Sequence, residues 1–209
     1  MPEKHPQFTD EQYEFLALLL ACGEPVSINF AGLLLPLSPG PLVDLLNRTM
    51  ELGWVTQSNE DYFATTAKIP KSIQVKLDRI NTPAHIAGLM EKTEKSVLDQ
   101  ETTPQVMNRL LVQAKKHKAA GEGLIAMAHG ALKEKNKEAA WSFFKQTADC
   151  VSKNLDNNNC RRIYTDAVLN LSGLSFTLGK GLSALSQYLV RAQETSKKSG
   201  DSRSHAMLK

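Results

Sequence analysis

Gly123–Asn159, GLIAMAHGALKEKNKEAAWSFFKQTADCVSKNLDNNN, lies against the stretch that begins at Ala167, AVLNLSGLSFTLGKGLSALSQYLVRAQETSKKSGDSRS, at an offset of 44 residues. Under this offset Leu124 meets Val168, Ile125 meets Leu169, Ala140 meets Ala184, Phe144 meets Tyr188 and Ala148 meets Ala192, with polar residues between. Small or apolar residues at such spacing mark helices that bury one stripe. One helix pair cannot hide its own apolar face, so a repeat of pairs reads as a stack in which each covers the flank of the next. The C-terminal half is therefore predicted to be an α-α helical repeat array, turning at Lys135-Asn136 and, by the offset, at Gly179-Lys180. Asn157–Thr165 corresponds to Asp201–Lys209, where the sequence stops, so the chain is expected to be an excised piece of a longer protein.

The rest of the chain has ordinary globular composition, with 42% apolar and 22% charged residues among 209. The longest apolar runs, FLALLLAC and FAGLLLPL, fall well short of the roughly 18 to 20 residues that span a bilayer. MPEKHPQFTDEQ is polar and acidic, unlike a secretory signal, so no membrane partner is expected and a cytoplasmic address follows. Three cysteines, Cys22, Cys150 and Cys160, lack CxxC spacing, and the histidines at 5, 85, 117, 129 and 205 show no paired metal spacing. Neither a metal nor another cofactor is expected. No paired carboxylates and no Ser/His/Asp or Cys/His set stand out, so the chain is not expected to be an enzyme. Gly173–Gly181, GLSFTLGKG, is not a phosphate-binding loop. Five residues rather than four separate its glycines, Gly181 stands where a magnesium-binding Ser or Thr belongs, and no strand precedes it.

Charge divides the chain. Through Ile69 there are 3 Lys/Arg against 9 Asp/Glu, a balance of −6, and from Pro70 onward 22 against 13, a balance of +9. Attraction to polyanions belongs to the later part. The step places an expected domain boundary near residue 70.

Ahead of that step the local signals are strong. Thr9 and Gln12 have capping-box spacing and Phe8 can staple onto Tyr13, so a helix starts there and ends at Cys22-Gly23. Val26-Ser27-Ile28 is a strand or the lead-in to a helix over Asn29–Leu35, which Pro36 stops. Ser38-Pro39-Gly40-Pro41 caps a third helix reaching Leu52. Gly53–Gln57 and Tyr62–Thr66 are strand-like about a turn at Ser58–Asp61, a β-hairpin. Three helices and a hairpin describe a winged helix, giving a mainly α chain whose winged-helix domain occupies residues 1–69.

FLALLLACGEPVSINFAGLLLPLSPGPLVDLLNRTMELGWVTQSNEDYFAT resembles the winged-helix module that follows the nucleotide-binding core in signal-transduction ATPases with numerous domains, the STAND proteins. Lys71–Lys95 resembles their connecting helix, placed at 70–102, and Thr103-Pro104 opens a helix through Leu110, Leu111, Ala114 and His117. LLVQAKKHKAAGEGLIAMAHGALKEKNKEAAWSFFKQTA is similar to the first of their tetratricopeptide-like (TPR-like) repeats, which would fill 103–209. The offset of 44 departs from the roughly 34 residues of a standard tetratricopeptide repeat. The resemblance implies that the partners are the NTPase core of the parent chain, absent here, and a protein or effector held by the repeats.

A winged helix also suggests DNA, read by its third helix. Here that helix offers Arg48 beside Asp44 and Glu51, and the wing turn carries Glu60 and Asp61, so phosphates are repelled and DNA is an unfavoured partner. Basic clusters come later, at Lys115-Lys116-Lys118, Arg161-Arg162, and Lys197-Lys198 with Arg203; such lysines also suit solvated helix faces near helix C-termini. Trp141 and Phe144 are expected in the core, and Phe143 points to another side. Lys115, Lys116, Lys118, Phe143, Arg161 and Arg162 are thus the candidate partner-binding residues. The sequence reads as a noncatalytic regulatory and interaction segment, with a DNA-binding winged-helix regulator carrying a helical effector or dimerisation domain as the alternative.

Overall fold

Helix α1, Asp10–Cys22, is apolar on nearly every side, burying Tyr13, Phe15 through Leu19, Ala21 and Cys22. A helix of that kind must be enclosed by others. Its start is the expected capping box: Gln12 N–H donates to Thr9 Oγ1 (3.3 Å) and Thr9 N–H to Gln12 Oε1 (3.0 Å), while the Phe8 ring meets Tyr13 edge-on at 5.6 Å. It ends at Gly23, whose φ of 66° is the left-handed turn that a glycine adopts without strain.

This computed structural model describes residues 7–35, 38–92, 98, 100–180 and 182–199. Among them the chain is mainly helical, with ten α-helices and one three-stranded sheet. It forms two compact units that divide between Lys115 and Lys116.

In the first unit α1 is followed by β1 (Val26–Ser27), α2 (Ile28–Leu34), α3 (Pro39–Glu51), β2 (Val55–Asn59) and β3 (Tyr62–Thr65). The sheet is antiparallel in the order β1-β3-β2, with Val26 opposite Phe63 and Val55 opposite Thr65. The hairpin is thus joined by a third strand, and β2 runs on to Asn59 through a register shift after Gln57, so the turn shrinks to Glu60-Asp61. Ser27 caps α2, its hydroxyl accepting from Phe30 N–H at 3.0 Å, whereas Ser38 at the head of α3 makes no side-chain cap bond. The proline expected to stop α2, Pro36, lies outside the described residues.

Three expectations change. Residues 71–95 are not one connecting helix: α4 (Lys71–Ile80) ends at Asn81, and α5 (Pro83–Glu91) starts anew with Thr82 as its cap. Pro83 has no N–H to continue α4 and suits the first turn of α5. The helix α6 (Pro104–Gln113) stops at Ala114 and does not reach His117, because Lys115 turns left-handed at φ 56°. Neither residue 70 nor residue 103 separates compact units. The reason is packing on α1, where Asn81 Nδ2 donates to Ala17 O (2.7 Å) and Gln113 Nε2 to Ala21 O (2.8 Å), and where Leu77, Ile86, Val106 and Leu110 join the same core.

The second unit holds α7 (His117–Lys133), α8 (Lys137–Val151), a 3-10 turn at Ser152–Asn154, α9 (Asn158–Thr177), a 3-10 turn at Leu182–Leu185, and α10 (Ser186–Ser199). The turns at both expected places match bond for bond across the offset. Glu134, Lys135 and Asn136 N–H groups donate to Gly130, Leu132 and Ala131 carbonyls (3.1, 3.0 and 2.8 Å), and Leu178, Gly179 and Lys180 to Leu174, Phe176 and Ser175 (2.9, 3.4 and 2.9 Å). Lys135 and Gly179 share the left-handed conformation, at φ 60° and 64°. Gly173–Thr177 lies within α9 and Gly179 in a turn after it, so GLSFTLGKG ends a helix here.

The second helices of the two pairs begin differently. Asn136 caps α8 by accepting from Ala139 N–H (3.1 Å), but its counterpart is Lys180, a side chain with no acceptor. There the chain passes through the 3-10 turn before α10 starts. The core between the helices is rich in small residues, Ala128, Ala131, Ala140, Ala148, Ala167 and Ala192, around Phe144, Tyr164, Val168 and Leu171. Ala184, matched to Ala140, and Asp201–Lys209, matched to Asn157–Thr165, lie outside the residues whose side chains are described.

Candidate functional site

Antiparallel neighbours bring the start of α7, the end of α8 and the start of α9 to one end of the second unit. Cys150 Sγ near the end of α8 stands 3.9 Å from His117 Nδ1 at the start of α7. Cys160, one turn into α9, feels the charges of Glu122 and Lys118 on α7, and Cys150 that of Lys153. Lys116, Lys118, Lys153 and Arg162 are exposed at this end and Arg161 is partly buried beside them.

These cations are not equally available. Lys118 Nζ pairs with Glu122 at 3.7 Å, both side chains half in solvent, a contact worth well under 1 kcal/mol. Arg161 closes the turn before α9, its guanidinium donating to Leu155 O (3.2 Å) and Asp156 O (3.5 Å) while its buried Nε has no hydrogen-bond partner. Arg161 therefore holds the turn, and Arg162, exposed next to it, faces solvent.

Of the six expected partner-binding residues, Lys116, Lys118, Arg161 and Arg162 share this end. Lys115 is the last residue of the first unit, and Phe143 packs half-buried against the alanine-rich core about two turns of α8 away. Lys153 belongs to the basic end but escaped sequence reading, being a lone cation in a turn. Of the third basic cluster Lys197 is exposed; the side chain of Lys198 and all of Arg203 lie outside the description.

Burial disfavours the thiolate form of the cysteines at this end. Burial pushes Cys150 and Cys160 above the ordinary thiol value, Lys153 and Lys118 only partly offsetting it, so both stay protonated near neutrality. All three cysteines are free and buried, and burial takes Cys22 in the first unit up to about 12. Among the described residues no three His, Cys, Asp or Glu side chains converge as a metal site would require.

Two polar brackets cross the flank of α8. Lys180 Nζ meets Glu138 Oε2 at 2.6 Å and lies 4.0 Å above the Trp141 ring, whose Nε1–H donates to Ser175 Oγ at 3.2 Å. Asp149 accepts from Tyr188 Oη (2.6 Å) and Lys145 Nζ (2.9 Å), and Arg191 donates to Ser152 O (2.7 Å). The Asp149 carboxylate, first through its hydrogen bond, raises Lys145 above the usual lysine value. These groups are engaged with each other, and their chemistry is that of clamps between helix pairs.

The first unit presents a different surface. On α3, Arg48 turns back over the Phe8 ring, 5.3 Å from its centroid, while Asp44, Glu51, Glu60 and Asp61 are exposed. Beyond these, an apolar groove of about 450 Å³ runs between α2 and α3, lined by Ile28, Gly32, Leu33, Pro39 and Leu42 with Asn29 and Glu101.

No family model matches the chain, and no curated protein and no solved structure matches it either. Among the described residues no helix is long and apolar enough to cross a membrane.

Proposed function

We propose that this chain is a noncatalytic regulatory and protein-interaction segment of a STAND-type signal-transduction NTPase. In this reading the first unit contains a winged helix that couples to the nucleotide switch of the parent's NTPase core. The second is a TPR-like array that senses a protein partner or effector in the cytoplasm. The observation that carries the reading is that left-handed turns end helices at both places the 44-residue offset puts them, Lys135 and Gly179; the hydrogen bonds themselves also close α3 at Gly53. A repeated pair is a stacking unit, and stacks of this kind present extended binding surfaces. The basic end, with Lys116, Lys118, Lys153 and Arg162, is the surface we assign to an acidic partner. The order helix, strand, helix, helix, hairpin supports the winged helix, and its acidic face, with Arg48 turned back on Phe8, suits protein packing better than phosphates.

Titrating labelled mixed-sequence duplex DNA between about 50 and 200 mM salt tests the reading against its rival. The expected outcome is no micromolar binding at either salt. Micromolar affinity that falls steeply with salt and is weakened by Arg48→Ala would instead make the chain a DNA-binding regulator. The parent reading frame gives a second test: a phosphate-binding loop and its NTPase core are expected ahead of this segment, and a frame that encodes none removes the STAND assignment.

A further inference from the structure

We infer that the outer face of α4 in the first unit is a docking groove for an acidic amphipathic helix from another protein. The groove is about 720 Å³ and is lined by Lys71, Ser72, Val75, Lys76, Arg79 and Ile80. At about 100° per residue Lys71, Ser72, Val75 and Arg79 cluster on the side of the helix away from the Ile73 and Leu77 that anchor α4, with Lys76 toward one edge and Ile80 packed against the core beside Ile73. The stripe spans close to three turns and is unlike the rest of its unit, which through Lys115 carries 10 Lys/Arg against 14 Asp/Glu.

Two features of the stripe point to a ligand. No described carboxylate forms an ion pair with Lys71, Lys76 or Arg79. Lys76 sits 3.3 Å above the Tyr13 ring and is engaged within the unit, which leaves Lys71 and Arg79 as the open cations of the stripe. Between these cations Val75 is 50% exposed, with Ile80 half-buried at the end of the stripe. Cations on either side of an exposed valine complement a helix that sets an apolar residue on Val75 and carboxylates to its flanks. Nucleic acid fits less well, because phosphates leave Val75 uncovered and the net-acidic unit repels a long polyanion while a short acidic helix meets mainly the local cations. The inference does not depend on the proposed function, since the basic end lies in the other unit.

The test uses the full chain and a labelled synthetic helix of roughly five turns, with leucines at helical spacing flanked by glutamates. Controls are the same composition scrambled, poly-glutamate and duplex DNA. Micromolar binding of the helix is expected, weaker for the scramble and poly-glutamate and falling with salt. Lys71→Glu with Arg79→Glu should weaken it at least about tenfold, Val75→Asp by a similar factor, and Lys133→Glu with Lys137→Glu, on the second unit away from its basic end, should leave it unchanged. All these positions are exposed, and an unchanged melting curve verifies each fold. Should a change on α4 unfold the chain, Val75→Ser serves with the same expected direction. No binding of the helix, equal binding by the charge-reversed stripe, or tighter binding of duplex DNA lost through the same residues would overturn the inference.

Discussion

The two units bury apolar surface in different ways. The first encloses a single helix, α1, with segments from as far along the chain as α6, and its core is made of large side chains such as Phe15, Phe30, Leu16 and Leu45. The second places helices beside their sequence neighbours, uses alanine where they approach, and adds polar clamps at the flank. A core assembled around one rod has to be gained or lost together, whereas a stack depends on nearest neighbours. Hence a lesion should spread through the first unit and stay local in the second.

The sharpest way to break this contrast is to truncate a central ring in each unit. Phe15→Ala should cost about 3 to 5 kcal/mol and remove hydrogen-exchange protection throughout α1 to α6. Phe144→Ala should cost a similar amount, about 3 to 5 kcal/mol, but expose chiefly α7, α8 and α9. Equal spreading in both would erase the distinction. Next in size is the close approach in the stack: a Cβ on Gly121 would run into Val151 Cγ1 and press on Ile163 Cγ2. Gly121→Ala should therefore cost about 1 to 3 kcal/mol, and Val151→Ala should relieve it in a double-mutant cycle, provided this contact is what limits the spacing.

Alkali separates the units by their buried acids. Burial raises Cys22 from about 9 to about 12 and Tyr164 from about 10 to about 12. Each is neutral in the fold and gives its proton up more readily when unfolded. The stability they contribute is complete below the unfolded values and is lost as pH rises toward about 12. Melts between pH 8 and 11 should fall in temperature, less steeply for Cys22→Ala in the first unit and for Tyr164→Phe in the second, and a flat profile in the parent chain would contradict the burial of both. Smaller still, Asn81→Ala or Gln113→Ala should cost about 1 kcal/mol each by removing α4 or α6 from the carbonyls of α1. Lys180→Ala, at a pair whose Glu138 side is largely solvated, should cost about 1 kcal/mol; a larger loss would mean the clamps carry the stack rather than decorate it.

How much of this could be read ahead varies with the range of the interaction. The capping box at Thr9, the stop at Gly23 and the turns at Lys135 and Gly179 depend on residues a few positions apart, and each is where the spacing puts it. The break at Asn81-Thr82-Pro83 carried the same Thr-Pro signal as Thr103-Pro104, and the resemblance to a single connecting helix hid it. The charge step at residue 70 is real but does not mark a packing boundary, since charges sit at the surface and say little about which helices share an interior. Within the candidate site, Lys118 and Arg162 were legible as cations; that Arg161 is spent on closing a turn and that Lys153 joins them was not.

By itself the sequence determined where α1 starts and stops and that two of its stretches fold as equivalent turns, because hydrogen bonds between near neighbours settle those features locally. Only the tertiary structure decided that β1 pairs with β3, that α4 and α6 belong to the core around α1, and that the cations of α4 line one groove. Those outcomes require the chain to return on itself, and the burial that selects among the possible returns is a property of the assembled surfaces, which no short stretch contains.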